Sequence, residues 1–171
     1  MQHLLLVIDM QNDFIDMALG TEEAVKIVPI VEEIIKSHKG KVIFTKDTHL
    51  ENYMSTQEGA RLPVPHCIKG TQGWEICDAL KPYASEIIEK KTFGSLELID
   101  VLRNEDNKER VGKITLVGLC TDICVISNAM IAKATLTEAE VEVISSACAG
   151  VTPATHQNAL EAMKMCQITV K

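Results

Sequence analysis

The chain has 171 residues, 46% of them hydrophobic but only 4% aromatic, and a formal net charge of -7. That length suits one domain, residues 1–171, and an acidic balance without a basic run argues against nucleic acid or an anionic membrane as partner. No apolar run approaches the ~20 residues that span a bilayer, and no signal-peptide pattern opens the chain. A soluble, cytoplasmic protein is expected, with its six cysteines as thiols.

Taken in chain order, short apolar runs alternate with helical patterns. "HLLLVI" (3–8) reads as the first strand, and residues 29–38 as a helix with Pro29 at its first position and Val31, Ile34 and Ile35 as its apolar stripe. "KVIFT" (41–45) is the second strand. Residues 46–72 follow as an unusually long connection, a type that is often functional. "SEIIE" (85–89) is the third strand, with a short helix after Ser95 and a solvated charge run, "RNEDNKER" (103–110). "KITLVGL" (113–119) is the fourth, and a helix starts near Thr121. "EVEVIS" (140–145), a helix from Pro153 to about Met165 capped by Thr152, and "CQITV" (166–170) complete the chain. Continuous apolar strands alternating with helices predict an α/β fold. It is a Rossmann-like three-layer α/β/α arrangement around a parallel sheet of about six strands.

In such sheets ligands bind beyond the carboxyl ends of the strands. Chemistry-bearing residues stand at those ends: Asp9 after the first strand, Asp47 and His49 after the second, Lys90 and Lys91 after the third, Cys120 to Cys124 after the fourth. A thiol becomes a nucleophile when a helix N-terminus or an acid–base pair favours its thiolate. Cys124 would sit in a first helical turn, where its position alone fits either a nucleophile or a packing residue. Cys120, at the strand end, reads as packing. Asp47-x-His49 places a carboxylate and an imidazole on one side of an extended segment. With His66 downstream, these donors suit zinc, manganese or iron.

Three stretches in order, "DMQNDF", "KKTFGS" and "GLCTDICV", make the chain resemble the isochorismatase-like cysteine hydrolases over nearly its whole length. The resemblance implies a catalytic triad of Asp9, Lys90 and Cys124. Lys90 is preferred to Lys91 because the family's lysine is followed three residues on by an aromatic, here Phe93. It further implies a cis peptide at Leu119–Cys120 and an oxyanion hole made by the backbone N–H groups of Cys120 and Cys124. Asp47, His49 and His66 match the metal ligands of the nicotinamidase branch, and Glu58 falls where a fourth ligand is expected. The implied cofactor is a divalent metal, zinc above manganese or iron. The implied substrate is a small amide, nicotinamide first. Another amide, a carbamoyl compound or an isochorismate-like molecule is the alternative. Phe14 and Phe93 are the expected substrate-binding rings. One departure stands out: Pro63 occupies a position where nicotinamidases often carry a ring-flanking aromatic, which Leu62 or Tyr53 would have to replace. A homodimer or homotetramer is expected by analogy. His3, His38 and His156 are read as structural, and Trp74 as packing for a short helix after the metal loop.

Overall fold

A computed structural model describes residues 1–171. Six strands form one sheet in the order β3-β2-β1-β4-β5-β6, with every neighbouring pair parallel. They are β1 (Gln2–Ile8), β2 (Lys41–Asp47), β3 (Ile87–Lys90), β4 (Val111–Leu119), β5 (Glu140–Ala149) and β6 (Thr169–Val170). The helices are α1 (Asn12–Ile15), α2 (Glu22–Ser37), α3 (Gln57–Arg61), α4 (Glu97–Lys108), α5 (Ile126–Thr135) and α6 (Pro153–Met165). The expected α/β architecture is thus the observed one.

β1 is central because Leu4 to Ile8 are apolar without interruption, and all five are fully buried. Leu5 and Val7 face the layer built by α1 and α2, while Leu4, Leu6 and Ile8 face α4, α5 and α6. From β1 the sheet grows one way through β2 and β3 and the other way through β4, β5 and β6. The order therefore reverses between β1 and β4, and loops leaving their carboxyl ends diverge to open a crevice. Gly118 lies at that point with φ 118; a Cβ there would run into the Ile8 carbonyl oxygen. Glycine is what lets β1 and β4 approach so closely beside the crevice.

Several elements differ from the sequence expectation. Pro29 does not open a helix; it lies inside α2, which starts a full two turns earlier. Thr21 caps that start by accepting the Ala24 N–H, and the buried stripe is Ala24, Ile27, Val31 and Ile35. Packing of this stripe overrides the break that proline favours. The helix after Ser95 is not short: α4 runs to Lys108 and absorbs most of the charge run. Within that run Glu105 is buried and paired with Lys41 and Lys108. β5 extends to Ala149, and β6 shrinks to two residues because Gln167, with φ 62, turns the chain out of α6. No helix is long and apolar enough to cross a membrane.

Candidate active site

The carboxyl ends of β1, β2, β3 and β4 deliver four side chains to one place. Asp9 follows β1 with φ 48, a left-handed conformation that aspartate tolerates better than most residues. Thr45, on β2, donates its hydroxyl to Asp9 Oδ1 at 2.6 Å and accepts the Asp9 N–H at 3.2 Å. Lys90 ends β3, where alternate side chains point inward; Glu89 and Lys91 on either side are not buried. Its Nζ lies 2.6 Å from Asp9 Oδ2, 3.3 Å from Cys124 Sγ and 3.4 Å from Asp47 Oδ1. One buried cation thus touches the expected base, the expected nucleophile and an expected metal ligand.

Cys124 sits in a single π-type turn, Thr121–Val125, between β4 and α5. Such wide turns recur at functional sites because they re-aim a side chain within an otherwise regular helix. No side chain caps the turn. The peptide Leu119–Cys120 leading into it is cis, as the resemblance implied. Asn128, fully buried, ties the turn down: its amide donates to the carbonyls of Cys124 and Phe93 and accepts the Ser95 N–H.

Burial raises the Cys124 pKa well above that of a free thiol; Asp9 adds to the rise and Lys90 opposes it. Burial likewise raises Asp9 despite the Lys90 charge beside it. For Lys90 burial works against the charge, but Asp9, Cys124 and Asp47 together outweigh it and hold its pKa above the usual lysine value. The arrangement is an ammonium next to a thiol and a carboxylate, each of which resists ionising when the other is charged. Cys120, by contrast, has its thiol pushed up to about 12 by burial and by Asp122, with no base against it.

Beside this group lie the expected metal donors. One donor atom each from Asp47, His49, Glu58 and His66 falls within 4.8 Å of the other three. His49 Nε2 is 3.0 Å from Asp47 Oδ2 and 3.5 Å from Glu58 Oε1. His66 Nε2 is 3.7 Å from both carboxylates, while its Nδ1 bonds the Val64 carbonyl at 2.8 Å. A carbonyl only accepts, so Nδ1 carries a proton, and Nε2 is the ring nitrogen turned toward the two carboxylates. Burial disfavours charge on Asp47, yet His49, His66 and Lys90 hold its pKa well below the usual carboxylate range. Two nitrogen and two oxygen donors, with Lys90 paired to Asp9 as well as to Asp47, fit a divalent cation. Tyr53 is not a ring-flanking substitute for the aromatic that Pro63 lacks. It packs behind His49 and His66, at centroid distances of 4.8 and 5.1 Å, with its hydroxyl donating to Leu62 O.

A cavity of about 550 Å³ opens over both groups, with Cys124, Cys120, Glu58, His66, Phe14 and Phe93 in its wall. Leu62 lines it as well. Phe14 is nearly buried and Phe93 sits at the mouth, 45% exposed. An isochorismatase domain family model matches residues 3–171. The chain belongs to that family. Among its relatives is a nicotinamidase of Schizosaccharomyces pombe, 25% identical, with 97% of this chain and 91% of the relative covered. An uncharacterized isochorismatase family protein of Bacillus subtilis, PncA, is 32% identical over 76% of this chain and 78% of its own length. The solved pyrazinamidase of Pyrococcus horikoshii, in complex with zinc, is 31% identical, with a TM-score of 0.85 over 100% of this chain and 99% of that one. These matches bear out the resemblance, including its nicotinamidase and pyrazinamidase branch.

In this isochorismatase-family chain the sequence reading brought together Asp9, Lys90, Cys124, Asp47, His49, Glu58, His66, Phe14 and Phe93. It missed Thr45 and Asn128, whose only sequence signal is a polar residue inside an apolar pattern. His156, read as structural, braces the Cys124 turn: its Nδ1 lies 2.7 Å from Thr121 Oγ1. Trp74 packs at the edge of the core cluster on the α1 and α2 side of the sheet; Lys46 Nζ sits 3.0 Å above its ring, and its Nε1 donates to Thr48 at 2.9 Å.

Proposed function

We propose that the chain is a cysteine amidohydrolase that converts a small heteroaromatic carboxamide, nicotinamide first, to its acid and ammonia. The observation that supports this most is Lys90 Nζ standing between Asp9 and Cys124 at 2.6 and 3.3 Å. Asp9 takes the Cys124 proton, and Lys90 compensates whichever of the two groups is then charged. The thiolate adds to the amide carbonyl, and the N–H groups of Cys120 and Cys124 receive the oxyanion. Asp9 returns the proton to nitrogen, ammonia leaves, and water activated by Asp9 cleaves the thioester. Asp47, His49, Glu58 and His66 would hold the metal. When bound, it supplies a Lewis-acid contact for the ring nitrogen and so orients the substrate. Phe14 and Phe93 bracket the ring, with Leu62 as the aliphatic wall that replaces the missing aromatic.

The zinc-bearing relative favours zinc at this site, and the donor set also accommodates manganese or iron. The test is ammonia release from nicotinamide by the zinc-loaded protein. Turnover by the unaltered chain with loss in Cys124→Ala is expected. No release from nicotinamide, with release from another amide, would move the substrate within the same chemistry. An active Cys124→Ala variant would contradict the mechanism.

A further inference from the structure

Asp47 is the last residue of β2, and the strand pairing around it is lopsided. On one side it pairs with Lys90 of β3. On the other, β1 has already diverged, its last partner in β2 being Phe44. The backbone of Asp47 is nonetheless satisfied there by a side chain. Gln11, fully buried, accepts the Asp47 N–H on Oε1 at 2.7 Å and donates from Nε2 to the Asp47 carbonyl at 2.9 Å. The same Nε2 donates to the Trp74 carbonyl at 2.9 Å. A primary amide here imitates the missing strand, presenting one acceptor and two donors where a backbone neighbour would have stood.

Two residues on, Asp13 does the same for the far end of the metal loop. Its Oδ2 accepts the N–H of Cys67, the residue after His66, at 2.7 Å. Cys67 has φ 47, so its amide is turned inward toward that carboxylate. Gly73 lies against Asp13 so closely that a Cβ would meet the carboxylate. The two ends of the loop are also tied to each other: His49 N–H donates to Cys67 O, and Lys69 N–H donates to His49 O, both at 2.9 Å. Gln11 is joined to Asp9 in turn, its N–H donating to the Asp9 carbonyl at 2.8 Å.

We propose that Gln11 and Asp13 are positioning residues that hold Asp47 and His66 in metal-binding geometry and in register with Asp9. The inference rests on the metal site described under the proposed function. Neither side chain reaches the donor atoms; each acts through the backbone that carries a ligand. Supporting groups of this kind typically change metal affinity by about 10–100-fold when removed.

The test compares the metal-free unaltered protein with Gln11→Met, Asp13→Ala and Asp13→Asn. Zinc affinity is measured by competition with a chromophoric chelator, and the visible absorption of the cobalt(II)-loaded proteins reports coordination geometry. Thermal unfolding without metal records any general loss of stability separately. Gln11→Met and Asp13→Ala are expected to weaken zinc binding about 10–100-fold and to shift the cobalt bands. Asp13→Asn, which keeps an acceptor for the Cys67 N–H, should recover part of that loss. Zinc affinity and cobalt spectra unchanged in both Gln11→Met and Asp13→Ala would overturn the inference. Should Gln11→Met not fold, the two Asp13 variants decide alone. Failure of the unaltered protein to bind zinc would overturn the metal site itself, a result distinct from variants that bind as well as the parent.

Discussion

Lys90 carries more of the account than any other single residue. Its side chain is 1% exposed, and its charge faces Asp9, Asp47 and Cys124 at once. Replacing it with alanine leaves two buried carboxylates without their cation. Breaking a buried pair from one side costs about 3–5 kcal/mol, so Lys90→Ala should lose stability of that order in urea titration as well as turnover. Cys120→Ala should keep both, since the part proposed for Cys120 uses its N–H and not its thiol. A steady-state assay of that variant would show a large loss if the thiol itself took part. The choice of Lys90 over Lys91 was legible only through the family resemblance, from the aromatic three positions on; the alternation of β3 that buries Lys90 is seen in the fold. Thr45 was not legible: a threonine in a strand reads as a β-former, and only the fold places it 2.6 Å from Asp9 Oδ1.

At the scale of elements, strands were read well because buried parallel strands write themselves as unbroken apolar runs. Boundaries were read less well where capping and packing compete with local propensity. Pro29 is the clearest case. It removes the N–H that would have paired with the carbonyl of Val25, on the exposed side of the helix. Pro29→Ala should therefore stabilise the protein, by about 1–2 kcal/mol after allowing for the freer unfolded chain, read as a rise in melting temperature. β5 carries a second test. Glu142 accepts from Thr115 at 2.7 Å and pairs with Lys113 and Lys171 at 2.8 and 2.6 Å. These partners outweigh burial and lower its pKa from 4.5 to about 2. A depressed folded pKa means stability that is present above the unfolded value and lost as pH falls through the folded one. The unaltered protein should thus lose this contribution between about pH 4.5 and 2. Glu142→Gln should show a flatter acid limb, and identical acid unfolding curves would contradict the pairing.

For the molecule as a whole, convergence of the site could be anticipated because parallel strands deliver all their carboxyl ends to one edge of the sheet. The strand order β3-β2-β1-β4-β5-β6 could not, since nothing local in a buried strand says which neighbour it takes. The crevice is built where that order reverses, and the loop after β2, the Cys124 turn and Lys90 all stand at its rim. A metal that binds only the folded chain stabilises it by mass action, about 3 kcal/mol when free zinc is ~100 times Kd. Scanning calorimetry should accordingly show a lower melting temperature after chelation, restored by zinc. The same scan on a His49→Ala, His66→Ala double variant should show no zinc response.

The central claim is that Cys124 is acylated during turnover. Intact-protein mass spectrometry of rapidly acid-quenched reactions with nicotinamide tests it most directly. The account predicts a transient adduct with the mass of the acyl group, mapped to the peptide containing Cys124 and absent in Cys124→Ala. Turnover of nicotinamide with no adduct at any quench time, together with undiminished ammonia release by Cys124→Ala, would contradict it.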